Sequence, residues 1–88
     1  MLDPDLFTNK AADAQLKVAQ HRVKIFERLY GKLTLEEVQT RLHDTKAIFD
    51  SLSSFETKKR ELYHRQVKDM RGYASALTAL NNFNTQQP

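Results

Sequence analysis

Two rows of apolar side chains follow one predicted helix, from Pro4 to Tyr30, and this pattern constrains the fold more than any other feature of the chain. Apart from one polar position, residues in each row recur at steps of three and four, the spacing that brings side chains to one face of an α-helix. At about 100° per residue, the rows lie roughly a third of a turn apart. The first row consists of Ala12, Leu16, Ala19, Val23, Phe26 and Tyr30, and the second of Phe7, Ala11, Ala14, Val18, Ile25 and Leu29. A helix with one apolar row needs one partner, so we expect this helix to need two.

The polar position in the second row is Arg22, where the spacing calls for an apolar residue. Two interpretations follow. The aliphatic stem of the arginine packs along the apolar surface while its guanidinium group reaches water. Alternatively, the guanidinium group pairs with an acidic side chain of a partner helix or of a partner protein. Arg22 is therefore a candidate partner-pairing residue.

The ends of the first helix carry recognisable signals. Asp3 is suited to the N-cap position, because Pro4 after it is favoured at the first position of a helix. Gly31 suits the left-handed backbone position that follows many helices. We therefore predict the first helix over residues 4–30.

A capping box marks the start of the second helix. At this spacing the side chain of Thr34 accepts a hydrogen bond from the backbone N–H of Glu37, and the side chain of Glu37 accepts one from the backbone N–H of Thr34. This predicts a helix over residues 35–52 with a single apolar face. The row on that face consists of Leu35, Val38, Leu42, Thr45, Phe49 and Leu52.

A serine-rich stretch over residues 51–54 predicts a break before a third helix. Serine side chains compete for backbone hydrogen bonds and favour helix ends. Ser53 and Glu56 also have the spacing of a second capping box. The third helix is predicted over residues 54–80, and the polar, uncharged tail 81–88 is expected to fray. Its apolar face consists of Phe55, Leu62, Tyr63, Val67, Met70, Tyr73, Ala74, Leu77 and Leu80.

These elements predict one all-α domain covering residues 1–88, folded as an antiparallel three-helix bundle. In the predicted up-down-up arrangement, the first helix contacts the second through one apolar row and the third through the other. The alternative is a helical hairpin in which residues 34–80 form one long, coiled-coil-like helix. The first helix would then cover half of it, and the exposed half would require a homo-oligomer.

The composition argues against several functional classes. The chain has no cysteine, and its three histidines lie one on each predicted helix, so we expect no metal site. Two glycines are too few for a phosphate-binding loop, and we expect no cofactor. No acidic residue interrupts an apolar row, where burial would tune it for catalysis, so we expect a protein that is not an enzyme. Without a long apolar run or a secretory signal, we expect no membrane span and a cytoplasmic location.

The positive charge of the chain is concentrated in its last third. Residues 1–53 hold eight basic and eight acidic side chains, whereas residues 54–88 hold six basic and three acidic ones, so the net charge of +3 arises there. Basic side chains gather on one face of the third helix within about 80° of one another, at the 100° per residue of an α-helix. The candidate binding residues on this face are Arg60, His64, Lys68 and Arg71, extended by Lys58 and Arg65.

Two functions are consistent with these features. The first is a small protein-interaction module, such as an adaptor, an assembly factor or a regulatory subunit, that binds a protein partner through helical surfaces. The second is a nucleic-acid-binding accessory protein whose third helix contacts phosphates. A solvated basic face with no binding role is the plain structural alternative to both.

Overall fold

A computed structural model describes the backbone of residues 4–86 and the side chains of residues 12–83. Helix α1 spans Pro4–Tyr30, α2 spans Leu35–Ser51 and α3 spans Thr57–Gln86. No strand is present in this part of the chain. The fold is therefore an all-α three-helix bundle, as predicted. The expected N-cap, Asp3, lies outside the described residues.

The link between α1 and α2 has the backbone features that the sequence predicts. Gly31 adopts a φ of 88° and donates its N–H to the carbonyl of Glu27 at 2.8 Å, which closes the last turn of α1. The Thr34 hydroxyl accepts from the N–H of Glu37 at 3.1 Å, and the Glu37 carboxylate accepts from the N–H of Thr34 at 3.1 Å. The capping box is thus complete, and α2 begins where expected.

The predicted break after α2 is present, so the alternative of a continuous helix over 34–80 is wrong. The boundaries of α3 differ from the prediction at both ends. Ser53 and Glu56 form a turn, in which the Glu56 N–H donates to the Ser53 carbonyl at 3.1 Å, and α3 starts at Thr57. At the other end α3 continues to Gln86, through most of the tail that was expected to fray. No glycine or proline interrupts this stretch, and its residue Phe83 is half-buried.

Helix α3 is the element that packs against both others, and α1 and α2 each run antiparallel to it. Moving forward along α1, Phe26 stacks on Tyr73 and Tyr30 then reaches Asp69, which lies earlier in α3. Within the described residues, α1 and α2 do not pack along each other. The prediction that α1 contacts both other helices in an up-down-up arrangement was therefore wrong in this detail.

The side chain of Tyr73 explains this arrangement. Its hydroxyl accepts from the N–H of Leu33 and donates to the carbonyl of Gly31, both at 3.1 Å. These bonds hold the link between α1 and α2 against α3. Because the link is held there, α2 continues along α3 in the direction of α1 and does not fold back onto it.

The resulting molecule is elongated, with extents of 61 × 24 × 20 Å and a radius of gyration of 17.0 Å. A compact chain of this length would have a radius of gyration of about 12 Å. The difference arises because α1 covers the C-terminal part of α3 while α2 covers its N-terminal part. The two contacts share one core cluster, formed by Val23, Val38, Met70, Tyr73 and Ala76.

Candidate protein-interaction surface

The second apolar row of α1 is exposed. Val18 is 58%, Ile25 41% and Leu29 63% accessible, and Ala14 is also exposed. The first row supplies Ala19 and Val23 to the buried interior, so one of the two predicted partners of α1 is present and the other is not. We call Ala14, Val18, Ile25 and Leu29 the exposed row. Phe7 and Ala11, which continue it in sequence, lie outside the described side chains.

A groove lies beside the exposed row, between α1 and the C-terminal half of α3, with a volume of about 270 Å³. Most of its walls are small side chains, which leaves room for larger side chains of another molecule. We call it the α1–α3 groove, and its lining residues are Ala14, Gln15, Val18, Ala19, Arg22, Ser75, Ala76 and Ala79.

Arg22 stands at the border between the exposed row and this groove. Its side chain is exposed, and one guanidinium nitrogen lies 3.5 Å from the carbonyl oxygen of Gly72. The two helices approach closely at this point, because a Cβ atom on Gly72 would lie 2.9 Å from the ring of Phe26. The arginine stem thus follows the groove towards α3.

Of the predicted basic residues, Arg60 is drawn into the fold. Its guanidinium carbon lies 4.8 Å from the ring centroid of Phe49, and its Nη1 donates to the carbonyl of Leu52 at 3.2 Å. Arg60 is also half-buried. These contacts fasten the end of α2 to the start of α3, so Arg60 has a structural role that the sequence did not indicate.

Three other predicted residues, His64, Lys68 and Arg71, lie together on a second groove of about 390 Å³ between α2 and α3. Lys46 of α2 joins them there, a residue that sequence reasoning missed because the pairing of α2 with α3 was needed to place it. The ring of His64 lies 5.8 Å from that of Phe49, centroid to centroid. The acidic side chain of Asp50 lines the same groove and partly offsets its positive charge.

The remaining two predicted residues, Lys58 and Arg65, do not join this group. They are seven residues apart and share a face of α3 that lies roughly a quarter to a third of a turn from His64 and Arg71. Both side chains are exposed. The six predicted binding residues therefore occupy two separate faces. His64, Lys68 and Arg71 line the groove between α2 and α3, whereas Lys58 lines a separate hollow at the start of α3.

A polar cluster joins the end of α1 to α3. The hydroxyl of Tyr30 donates to Oδ2 of Asp69 at 2.5 Å, and the guanidinium group of Arg41 lies 5.7 Å from the Tyr30 ring centroid. Burial, together with the hydrogen bond to the Asp69 carboxylate and its charge, raises the pKa of Tyr30 to about 12, although the nearby guanidinium groups of Arg41 and Arg65 act in the opposite direction. The cluster is a structural contact that keeps Tyr30 protonated.

The structure places the three histidines, His21, His43 and His64, on three different helices with exposed side chains. Among the described residues, no three side chains of the metal-binding types come close enough to hold an ion. None of the helices, over the range described, has an apolar stretch long enough to cross a membrane.

Comparisons with models of known protein families, with curated proteins and with solved structures find no match to this chain.

Proposed function

We propose that this protein is a small non-enzymatic interaction module, acting as an adaptor, an assembly factor or a regulatory subunit. In this proposal a protein partner binds the exposed row of α1. The observation that supports it is the exposure of three large apolar side chains, Val18, Ile25 and Leu29, along one face of a single helix. Scattered apolar residues are normal on protein surfaces, but exposed apolar residues that share one face of a helix indicate an interaction site.

The length of the exposed row indicates that a short loop would not be enough to cover it. It runs for about 17 Å between Val18 and Leu29, at the 1.5 Å rise of an α-helix. Its side chains follow the steps of three and four by which one helix binds another, interrupted at Arg22. A second helical surface is therefore the natural complement to it.

Site-specific photo-crosslinking in the source cells tests this proposal. The variant Ile25→p-benzoylphenylalanine places the crosslinker on the exposed row, and His43→p-benzoylphenylalanine is the matched control on the polar face of α2. We expect one or more proteins to be crosslinked through position 25 and not through position 43, with yields unchanged by nuclease. Crosslinking through both positions alike, or through neither, would contradict the proposal.

A second candidate function, a nucleic-acid-binding accessory protein, is favoured by the convergence of Lys46, Lys68 and Arg71 on one groove. Three phosphate contacts there would give a slope of about −3 in log binding constant against log salt, at about 0.9 per contact. Titration of a labelled duplex at low salt measures this slope. No binding at tens of micromolar protein, or binding unchanged by Lys68→Gln with Arg71→Gln, would exclude this candidate.

A further inference from the structure

We propose that the partner is an amphipathic helix with acidic flanks, which lies on the exposed row with its apolar side chains in the α1–α3 groove. This inference rests on the proposed function and specifies the chemistry of its partner. It is supported by the shape of the groove, by the basic side chains of α1 and the absence of acidic ones on the α3 wall, and by the like charges that a second copy of this chain would bring to the same surface.

The shape of the groove suits a helix. Small side chains, those of Ala14, Ala19, Ser75, Ala76 and Ala79, form most of its lining between α1 and α3, and Gln15, Val18 and Arg22 complete it. In a helical bundle, side chains of each helix fill the space between the other two. A partner helix of about 15 residues would span the exposed row from Ala14 to Leu29, at 1.5 Å per residue. Leucine or phenylalanine side chains at steps of three and four would fill the groove.

The α1 wall of this surface is basic. Arg22 lies beside the exposed row on the groove side, and His21 and Arg28 lie on its other side, within about 80° at the helical 100° per residue. All three side chains are exposed. The two acidic residues of residues 12–30, Asp13 and Glu27, lie roughly on the far side of the helix by the same count. An apolar row with basic borders on both sides favours a partner whose apolar row has acidic borders.

The α3 wall is uncharged, since its lining residues are Ser75, Ala76 and Ala79. No aspartate or glutamate follows Asp69 in the sequence, so the part of α3 that faces the groove carries no acidic side chain. Lys68 and Arg71 precede Ser75 and Ala79 at steps of three and four, which places all four on one flank of α3. The α3 wall therefore does not repel acidic residues of a partner helix, and the same flank becomes basic towards Lys68 and Arg71, which line the groove between α2 and α3.

The same charges argue against a second copy of this chain as the occupant. In a two-fold dimer through the exposed row, the same surface patch meets itself. The border that carries Arg28 would then face an identical border with the same positive charge. Like charges placed opposite each other oppose association, whereas acidic residues at those positions would favour it.

Two designed peptides of about 18 residues, each able to form an amphipathic helix, test the proposal by fluorescence anisotropy. Both carry the same leucine row, and they differ only in having glutamate or lysine at the flanking positions. We expect the acidic peptide to bind at least about tenfold more tightly than the basic one at low salt, since several exposed ion pairs act together. The difference should shrink as salt rises.

Variants of the protein separate the two contributions. Val18→Ser with Leu29→Ser removes apolar contact area and should weaken binding of the acidic peptide by more than about tenfold. Arg22→Gln with Arg28→Gln should weaken the acidic peptide several-fold and reduce its salt dependence. The matched controls are Leu62→Ser, which alters a similarly exposed apolar residue of α3, and Lys58→Gln with Lys59→Gln. Neither control should change binding, and circular dichroism checks that each variant is folded.

The outcomes distinguish this inference from the proposed function. Equal binding of both peptides, lost in the Val18 and Leu29 variant, would contradict the acidic partner but retain the exposed row as an interaction site.

A dimer in sedimentation equilibrium that the same variant abolishes would identify a second copy as the occupant and overturn the inference. Absence of binding by either peptide at about 100 μM, where only dissociation constants above that concentration would escape detection, would also overturn it. The proposed function would then depend on the crosslinking at position 25 alone.

Discussion

The two helices that pack on α3 differ in how completely the chain covers them. Helix α2 has one apolar row, with Val38 and Thr45 buried against α3, and Ile48 is its one large apolar side chain that is exposed among the described residues. Helix α1 has two rows, and α3 covers only one of them. The contact between α2 and α3 is thus nearly complete within the chain, whereas α1 retains a face without a partner.

The difference shows that apolar rows of the same helical spacing are buried in one place and exposed in another. A helix buries as many apolar rows as it has neighbouring elements, and the hydrogen bonds of Tyr73 to the link keep α2 away from the second row of α1. Burial of apolar surface is favourable at about 25 cal/mol per Å². Burial of the exposed row by a binding partner would therefore stabilise the complex.

The largest effect is expected at the point where the two contacts meet. Tyr73 is fully buried, stacks on Phe26 at 5.5 Å between ring centroids, and holds the link between α1 and α2. We expect Tyr73→Ala to lower the free energy of unfolding by about 3–5 kcal/mol, because it leaves a cavity and two unpaired backbone groups. Urea denaturation followed by circular dichroism measures this loss.

Hydrogen exchange of the Tyr73→Ala variant shows whether α1 and α2 depend on the same centre. We expect amides of both helices to lose protection together. If α2 kept its protection while α1 lost it, the contacts of α1 and of α2 with α3 would be energetically independent. The two helices would then differ in stability more than their shared core suggests.

A matched pair of valines in α1 tests the contrast between its two rows directly. Val23, in the first row, is buried, whereas Val18 in the second row is exposed. Val23→Ala should cost about 1–3 kcal/mol of unfolding free energy, and Val18→Ala less than about 0.5 kcal/mol, since alanine also favours helix. Urea denaturation of both variants gives the comparison. Equal losses would mean that the second row is covered in solution, for instance by self-association.

The ionisation of Tyr30 tests the attachment of the end of α1. Its pKa is raised from 10.0 to about 12 in the folded protein, so the folded state favours the protonated hydroxyl. This contribution to stability is fully present below pH 10 and is lost as the pH rises through about 12. We expect the stability difference between the wild type and Tyr30→Phe to shrink over that range. A difference that stayed constant would show that folding does not raise the pKa of Tyr30.

Much of the fold could be predicted from local patterns. The left-handed Gly31, the Thr34–Glu37 capping box and the buried row of α2 each depend on residues that are close in sequence, and the structure contains all of them. The choice of α3 as the central helix could not be predicted in this way. It depends on long-range hydrogen bonds of Tyr73 and on the close approach at Gly72, which no spacing rule reveals.

The candidate surface was predictable only in part. The sequence identified the second row of α1 and the unusual position of Arg22, but it assigned that row to an internal contact. The basic residues of α3 were identified by type, yet the packing of Arg60 on Phe49 and the contribution of Lys46 required the pairing of α2 with α3. Residue type and spacing thus define faces, and the packing of helices decides which of those faces remain available.

The smallest effect is expected in the link between α2 and α3, where Phe55 was assigned by sequence to the apolar face of the third helix. The structure places it before α3 begins, with 92% of its side chain accessible. Phe55→Ala should therefore change the free energy of unfolding by less than about 0.5 kcal/mol.

Phe49→Ala is the matched control, because Phe49 is half-buried under the guanidinium group of Arg60. Its loss should cost more than about 1 kcal/mol, since a buried aromatic surface becomes exposed. Thermal denaturation of the two variants gives both values. A large loss in Phe55→Ala would mean that this ring is covered in solution, and the contact of α2 with α3 would then be as incomplete within one chain as that of α1.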